Sequence, residues 1–202
     1  MSKIAVDIVL LPSENMMNKV IAVNKELLKV FDNKIILNKE NCLPHISLAM
    51  GGIRRKDLVS IQNNLHRVAE MFSPMNLKAT DIYADTIPTG KKVSGFKIEK
   101  TKELQLLHES IMNDISPYFT YNITLDMVYP SPQVEEITLF WIKNYLKNSS
   151  FKNFFPHITI GFGEPNRINL PFNFTTSKLA LCHLGNYCTC RKILLSAELK
   201  HF

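Results

Sequence analysis

The chain has 202 residues, of which 46% are hydrophobic and 21% charged, so it can bury one sizeable core and is neither disordered nor fibrous. Its net charge of +6 suits an anionic partner such as a nucleotide or RNA, and no apolar run approaches the roughly 18 residues of a membrane-spanning helix. Four cysteines (Cys42, Cys182, Cys188 and Cys190) are too few and too clustered for a secreted disulfide framework.

The segment 3–11 is β-branched and aliphatic and reads as a buried first strand. Asp7 interrupts the run, and no small-residue cleavage site follows it, which argues against a secretion leader and for a cytoplasmic protein. Ser13 is placed to cap a helix whose apolar stripe is Val20, Val23, Leu27, Leu28 and Phe31. A strand at 44–51 is followed by a helix over 54–72, with Leu58, Ile61, Leu65, Val68 and Phe72 facing inward. Strands are expected at 76–87 and 93–99, across a turn at 88–92. Thr101 caps a third helix running to 116. The segment 119–129 reads equally as a strand or an ordered loop. Ser131-Pro132, with Glu135 and Glu136 behind it, starts a fourth helix that ends near 148. A strand at 156–163 and a hairpin, 174–183 and 187–199 turning on Gly185-Asn186, complete the chain. This mixed order predicts an α+β protein with antiparallel sheets.

Two octets then stand out. Pro44-His45-Ile46-Ser47-Leu48-Ala49-Met50-Gly51 matches Pro156-His157-Ile158-Thr159-Ile160-Gly161-Phe162-Gly163 position by position, as a duplicated half would. Strand periodicity puts His45, Ser47, Ala49 and Gly51 on one face, and His157, Thr159, Gly161 and Gly163 on the corresponding face of the second copy. Each strand would thus present an imidazole, a hydroxyl and then bare backbone that a ligand can approach. An imidazole titrates near neutrality, so it can act as base toward water or as acid toward a leaving oxygen, and a pair can do both on one phosphate. The Ser47 and Thr159 hydroxyls would donate to the non-bridging oxygens. A lone strand histidine is more often packing than chemistry; the matched pair is what points to a site.

The paired His-x-Ser/Thr octets resemble the motifs of the 2H phosphoesterase superfamily, which includes RNA 2′,5′-ligase-like proteins and 2′,3′-cyclic phosphodiesterases. The resemblance covers nearly the whole chain. It implies a single domain over 1–202, bilobal, with two pseudo-symmetric halves whose antiparallel sheets face a central cleft and whose helices lie outside. It also implies that His45 and His157 are catalytic, that Ser47 and Thr159 bind the substrate phosphate, and that neither metal nor other cofactor takes part. Substrates would be nucleotide or RNA phosphates, either 2′,3′-cyclic phosphates or 2′–5′ linkages, with 2′–5′ ligation as the related activity. The alternative is a nucleotide- or RNA-binding module that uses the same cleft without turnover. A departure from the family pattern is a loop and helix inserted at about 119–147.

Arg54 and Arg191 are candidate substrate contacts, while Arg55, Lys56, Lys91 and Lys92 read as solvated surface. The grouping of Cys182, His183, Cys188 and Cys190 lacks the spacing of common zinc modules, and Cys42 reads as packing. His66 and His201 are expected to be exposed and His108 to be structural. The aromatic residues Phe140, Trp141 and Tyr145 read as core rather than base-stacking residues. Asp7, if turned toward the cleft, would orient a histidine. Neither a membrane nor an obligatory protein partner is expected.

Overall fold

The computed structural model describes residues 2–32, 34–166 and 168–200; His201 lies outside them. The apolar N-terminal run forms β1 (Lys3–Pro12), buried along its whole length after Lys3. It is followed by α1 (Glu14–Val30), β2 (Ile46–Arg54), α2 (Leu58–Ala69), β3 (Met75–Thr86), β4 (Lys92–Ile98) and α3 (Lys102–Ile115). The second half contributes α4 (Glu136–Asn148), β5 (His157–Phe162), β6 (Phe172–Leu184) and β7 (Cys190–Glu198). The predicted α+β class is found.

All strand pairs are antiparallel, in the order β2-β1-β6-β3-β4-β5, with β7 also paired to β6. The two sheets implied by the resemblance are joined into one, because β6 is long enough to serve both. Its first residues pair with β3 and its later ones with β7, while β1 follows its other edge. Strands β2 and β5, at the two ends of the order, nevertheless touch, so the sheet curls until the two octets meet. Helix α1 packs on β5 and α3 packs on β2, each against the octet of the opposite half. Among the described residues no helix is long and apolar enough to cross a membrane.

Local chemistry explains most departures from expectation. Strand β2 runs on to Arg54, where it pairs with Lys3, and a 3-10 turn at Arg55–Asp57 follows, so α2 starts at Leu58, the first residue of the apolar stripe, rather than at 54, and ends at Ala69 rather than 72. Thr101 accepts from the Leu104 amide and caps α3, whereas Ser13 stands at the start of α1 without a side-chain cap. The ambiguous 119–129 segment is an ordered loop: Thr120 bridges to Gly52, and Leu125–Met127 forms a 3-10 turn. Helix α4 starts only at Glu136. The last hairpin turns through a 3-10 segment, Asn186–Cys188, in which Tyr187 and Cys188 adopt left-handed backbone at φ 56° and 55°. A disulfide joins Cys182 to Cys190, a pairing that composition alone did not indicate, and Cys42 and Cys188 are free.

Candidate active site

Each octet departs from regular pairing at the same place. In β2 the register slips between Ala49, opposite Ile8, and Ser47, opposite Val9, which leaves Leu48 unpaired. In β5 it slips between Gly161, opposite Ser94, and Thr159, opposite Gly95, which leaves Ile160 unpaired. A bulge adds a residue to one strand and re-aims the side chains beyond it. The expected face of His45, Ser47, Ala49 and Gly51 therefore holds only for its first two members. Beyond the bulge Met50 turns toward the cavity while Ala49 joins the core. The bare backbone expected to admit a ligand is covered: a Cβ at Gly51 would lie 2.7 Å from the Phe119 ring, and one at Gly163 would lie 2.3 Å from Phe31.

Ahead of the bulges the two halves converge. His45, Ser47, His157 and Thr159 line one cavity of about 440 Å³, within the range of small-molecule sites. Both rings are fixed alike. His45 Nδ1 lies 2.7 Å from the Leu43 carbonyl, and His157 Nδ1 lies 2.8 Å from the Phe155 carbonyl. A carbonyl only accepts, so Nδ1 carries the proton in each ring, and Nε2 is the nitrogen left to titrate. Leu43 is itself held, its amide donating to the carbonyl of Cys190 at 3.1 Å.

The rings differ in what surrounds them. Asp7 is fully buried on β1, with its Oδ2 3.7 Å from His45 Nε2 and accepting from the Ser47 hydroxyl at 2.6 Å. Burial pushes its carboxyl well above the usual range, against the opposing pull of Ser47 and the Ala49 amide. On the other side Tyr83, Gly95 and Thr159 form a row across three strands. A Cβ at Gly95 would lie 2.5 Å from the Tyr83 ring, so only glycine lets that ring cross β4. Tyr83 meets the His157 ring edge-on at 5.0 Å, and burial pushes its phenol well above the usual range, a rise that the Thr159 side chain opposes. Burial lowers His45 to about 4, opposed by the Leu43 carbonyl and reinforced by the neighbouring charge of His157. Burial also lowers His157, against the favourable pull of the Phe155 carbonyl and Asp85.

Helix α4 makes another wall. Ile137, Phe140, Trp141, Asn144, Tyr145 and Asn148 of α4 all line the cavity, at the three- and four-residue spacing of one helical face. The expectation that Phe140, Trp141 and Tyr145 are only core is thus corrected. Tyr145 is buried, but Phe140 is exposed and Trp141 only partly covered, because the helix faces an opening. Among the described residues no lysine or arginine lines this cavity, so the net positive charge lies elsewhere on the molecule. Arg54 is nine residues along the strand from His45, about 30 Å away at strand rise, and is tied to Asp57 at 2.8 Å. Arg191 lines a separate cavity of about 290 Å³ with Lys34 and Tyr129. Neither arginine lines the main cavity. Lys91 and Lys92 pair with Asp32 and Glu164, and His66 is exposed as expected.

No protein-family model matches the chain, and no curated protein is similar to it in sequence. Solved structures are similar over its full length. TT0787 of Thermus thermophilus shares 15% identity at a TM-score of 0.62, covering 97% of this chain and 98% of its own. Escherichia coli LigT complexed with 3′-AMP shares 13% identity at a TM-score of 0.57, covering 99% and 100%. A structure of LigT with NADP+ aligns at 13% identity and a TM-score of 0.56, again covering 99% and 100%. The chain therefore has the α+β fold of LigT and TT0787.

Proposed function

We propose that this chain is a metal-independent phosphodiesterase that acts on nucleotide or RNA phosphates, at a 2′,3′-cyclic phosphate or a 2′–5′ linkage. The observation that carries the reading is the convergence of two imidazoles on one cavity, each with Nδ1 committed to a backbone carbonyl. One Nε2 takes a proton from water as its oxygen bonds to phosphorus. The other, protonated, gives a proton to the ribose oxygen that departs. With a ribose hydroxyl in place of water, the same transfers would form a 2′–5′ linkage. The proton transfers and the charge stabilisation are thus assigned to the chain's own groups. That LigT, a protein of this fold, forms complexes with 3′-AMP and NADP+ supports a nucleotide as ligand.

Ser47 is assigned to the phosphate, although its hydroxyl donates to Asp7. The raised proton affinity of Asp7 resolves the conflict. As a neutral acid Asp7 donates to Ser47 Oγ, and the Ser47 proton is then free to meet a phosphate oxygen. Thr159 has Tyr83 as its neighbour across β4, and its hydroxyl proton is assigned to the phosphate in the same way. Helix α4 supplies the base-binding wall, with Phe140 and Trp141 as stacking surfaces.

The engagement of the Ser47 hydroxyl by Asp7 favours one second reading, a module that binds nucleotides in this cavity without turning them over. A panel of 2′,3′-cyclic nucleotides and 2′–5′ dinucleotides, assayed in chelator, separates the two. Turnover is expected on at least one class. Thermal stabilisation by nucleotides with nothing consumed would establish the binding module instead.

A further inference from the structure

Two polar side chains lie buried in the helices behind the octets, and each is bonded to the opposite half. Asn24 of α1 donates from Nδ2 to the carbonyl of Ile160, the bulged residue of β5, at 2.7 Å. The same nitrogen donates to the carbonyl of Ile35 at 2.9 Å, and Oδ1 accepts from the Leu37 amide at 2.9 Å. Ile35 and Leu37 belong to the segment that leads into the first octet, and both line the cavity. His108 of α3 reaches the carbonyl of Leu48, the bulged residue of β2, from Nδ1 at 2.8 Å. Its Nε2 accepts from the Phe151 amide at 2.7 Å. Its ring lies flat on Phe154, 4.1 Å away with planes 1° apart. Phe154 also lines the cavity, and the next carbonyl, that of Phe155, holds His157.

The two connections are counterparts. Each joins the bulged carbonyl of one octet to the segment that leads into the other. The aromatic plugs repeat the crossing: Phe31, just beyond α1, covers Gly163, and Phe119, beyond α3, covers Gly51. A bulge leaves a carbonyl outside the ladder, and an unbonded buried carbonyl is costly. Other donors could have met that need locally. Here each is met by a side chain from the other half, which also grips a second backbone group. Phe151 is a non-glycine residue at φ 51°, a conformation that persists only where its surroundings over-determine it.

We infer that Asn24 and His108 are positioning residues, crossed braces that fix the separation and orientation of His45 and His157. The kinetic arm of this inference rests on the function proposed above; the structural arm does not. His108 must be neutral to act, since Nε2 has to accept. Burial lowers it to about 4, so the brace is intact throughout the neutral range.

The test is imidazole titration by NMR in the full chain. Asn24→Asp keeps size and the acceptor but removes both donations. His108→Phe keeps the ring stacked on Phe154 and removes both hydrogen bonds. In each variant the titration midpoint of His45, His157 or both is expected to move by about half a pH unit or more. A kcat loss of about tenfold or greater should accompany this, with KM within about threefold. Folded variants in which both rings titrate as in the unmodified chain would overturn the inference, whatever their melting temperatures. Should either variant fail to fold, amide exchange in the unmodified chain decides. Leu37 and Phe151 are expected to be as protected as the central strands, and fast exchange at either would overturn the brace. Absence of turnover in the unmodified chain would refute the proposed function and leave the titration result standing, whereas unmoved titrations in an active protein would refute only the braces.

Discussion

The two octets share a backbone and differ in their neighbours. In β2 and β5 alike, a carbonyl two residues upstream fixes the histidine, and a bulge follows the hydroxyl residue. Beside His45 and Ser47, however, stands a buried carboxyl, and beside His157 and Thr159 a phenol. The repeated backbone accounts for the convergence of the two rings; under the proposed mechanism, the unlike neighbours are what would let them take opposite protonation states. An acid and a base need different environments, and a perfectly symmetric site would supply two of the same kind.

The comparison breaks most severely if a ring is removed. His45→Ala and His157→Ala are each expected to lower kcat/KM by about 100- to 10,000-fold on a 2′,3′-cyclic nucleotide. Because the rings act as a unit, the double variant should be little worse than either single one; losses that multiply would mean independent roles.

The hydroxyls come next. Ser47→Ala and Thr159→Ala should each cost roughly 100-fold in kcat, the usual effect of losing a donor to developing charge. Asp7→Asn sharpens the contrast, because asparagine can donate to Ser47 as a neutral Asp7 would. It should retain activity within about tenfold, while Asp7→Leu, which leaves Ser47 without its partner, should approach the loss of Ser47→Ala. A dead Asp7→Asn variant would show that the charged carboxylate is required.

A smaller effect concerns pH. Among the described residues no cationic side chain lines the cavity, and both rings are held below their ordinary proton affinity by burial. A bound phosphate reverses that bias, so binding takes up a proton. The sign follows: affinity rises as pH falls from 8 toward 6, by at most about tenfold per unit for one proton. Calorimetry in buffers of differing ionisation enthalpy counts the protons, and an uptake of zero would contradict the account. The smallest change is expected on α4, where Trp141→Ala should raise KM about tenfold through lost stacking and leave kcat nearly unchanged.

Much of this was legible in the sequence, for identifiable reasons. The octets announce themselves because both their residue types and their order repeat, and the α+β order follows from alternating periodicities. What lies past Ser47 and Thr159 was not legible, because one bulge residue inverts the faces that a period of two assigns. Tyr83 carries no signal in the sequence, because its approach to Thr159 depends on Gly95 in the strand between them, a pairing that only the register reveals. Asn24 left a fainter trace, a polar residue beside the apolar stripe of α1. The wall formed by Phe140 and Trp141 looked like core because a helix face turned to a cavity carries the same pattern as one turned to a neighbouring sheet. Cys182 and Cys190 lie close in sequence, but their pairing depends on the geometry of the closing hairpin.

The central claim is that His45 and His157 meet the same bound phosphate, and titration with adenosine 3′-monophosphate in chelator, followed on the imidazole nitrogens by NMR, tests it most directly. The account predicts that both Nε2 resonances move along a single binding isotherm, with one ring gaining a proton. Movement of one ring alone, or of the two with different affinities, would contradict it.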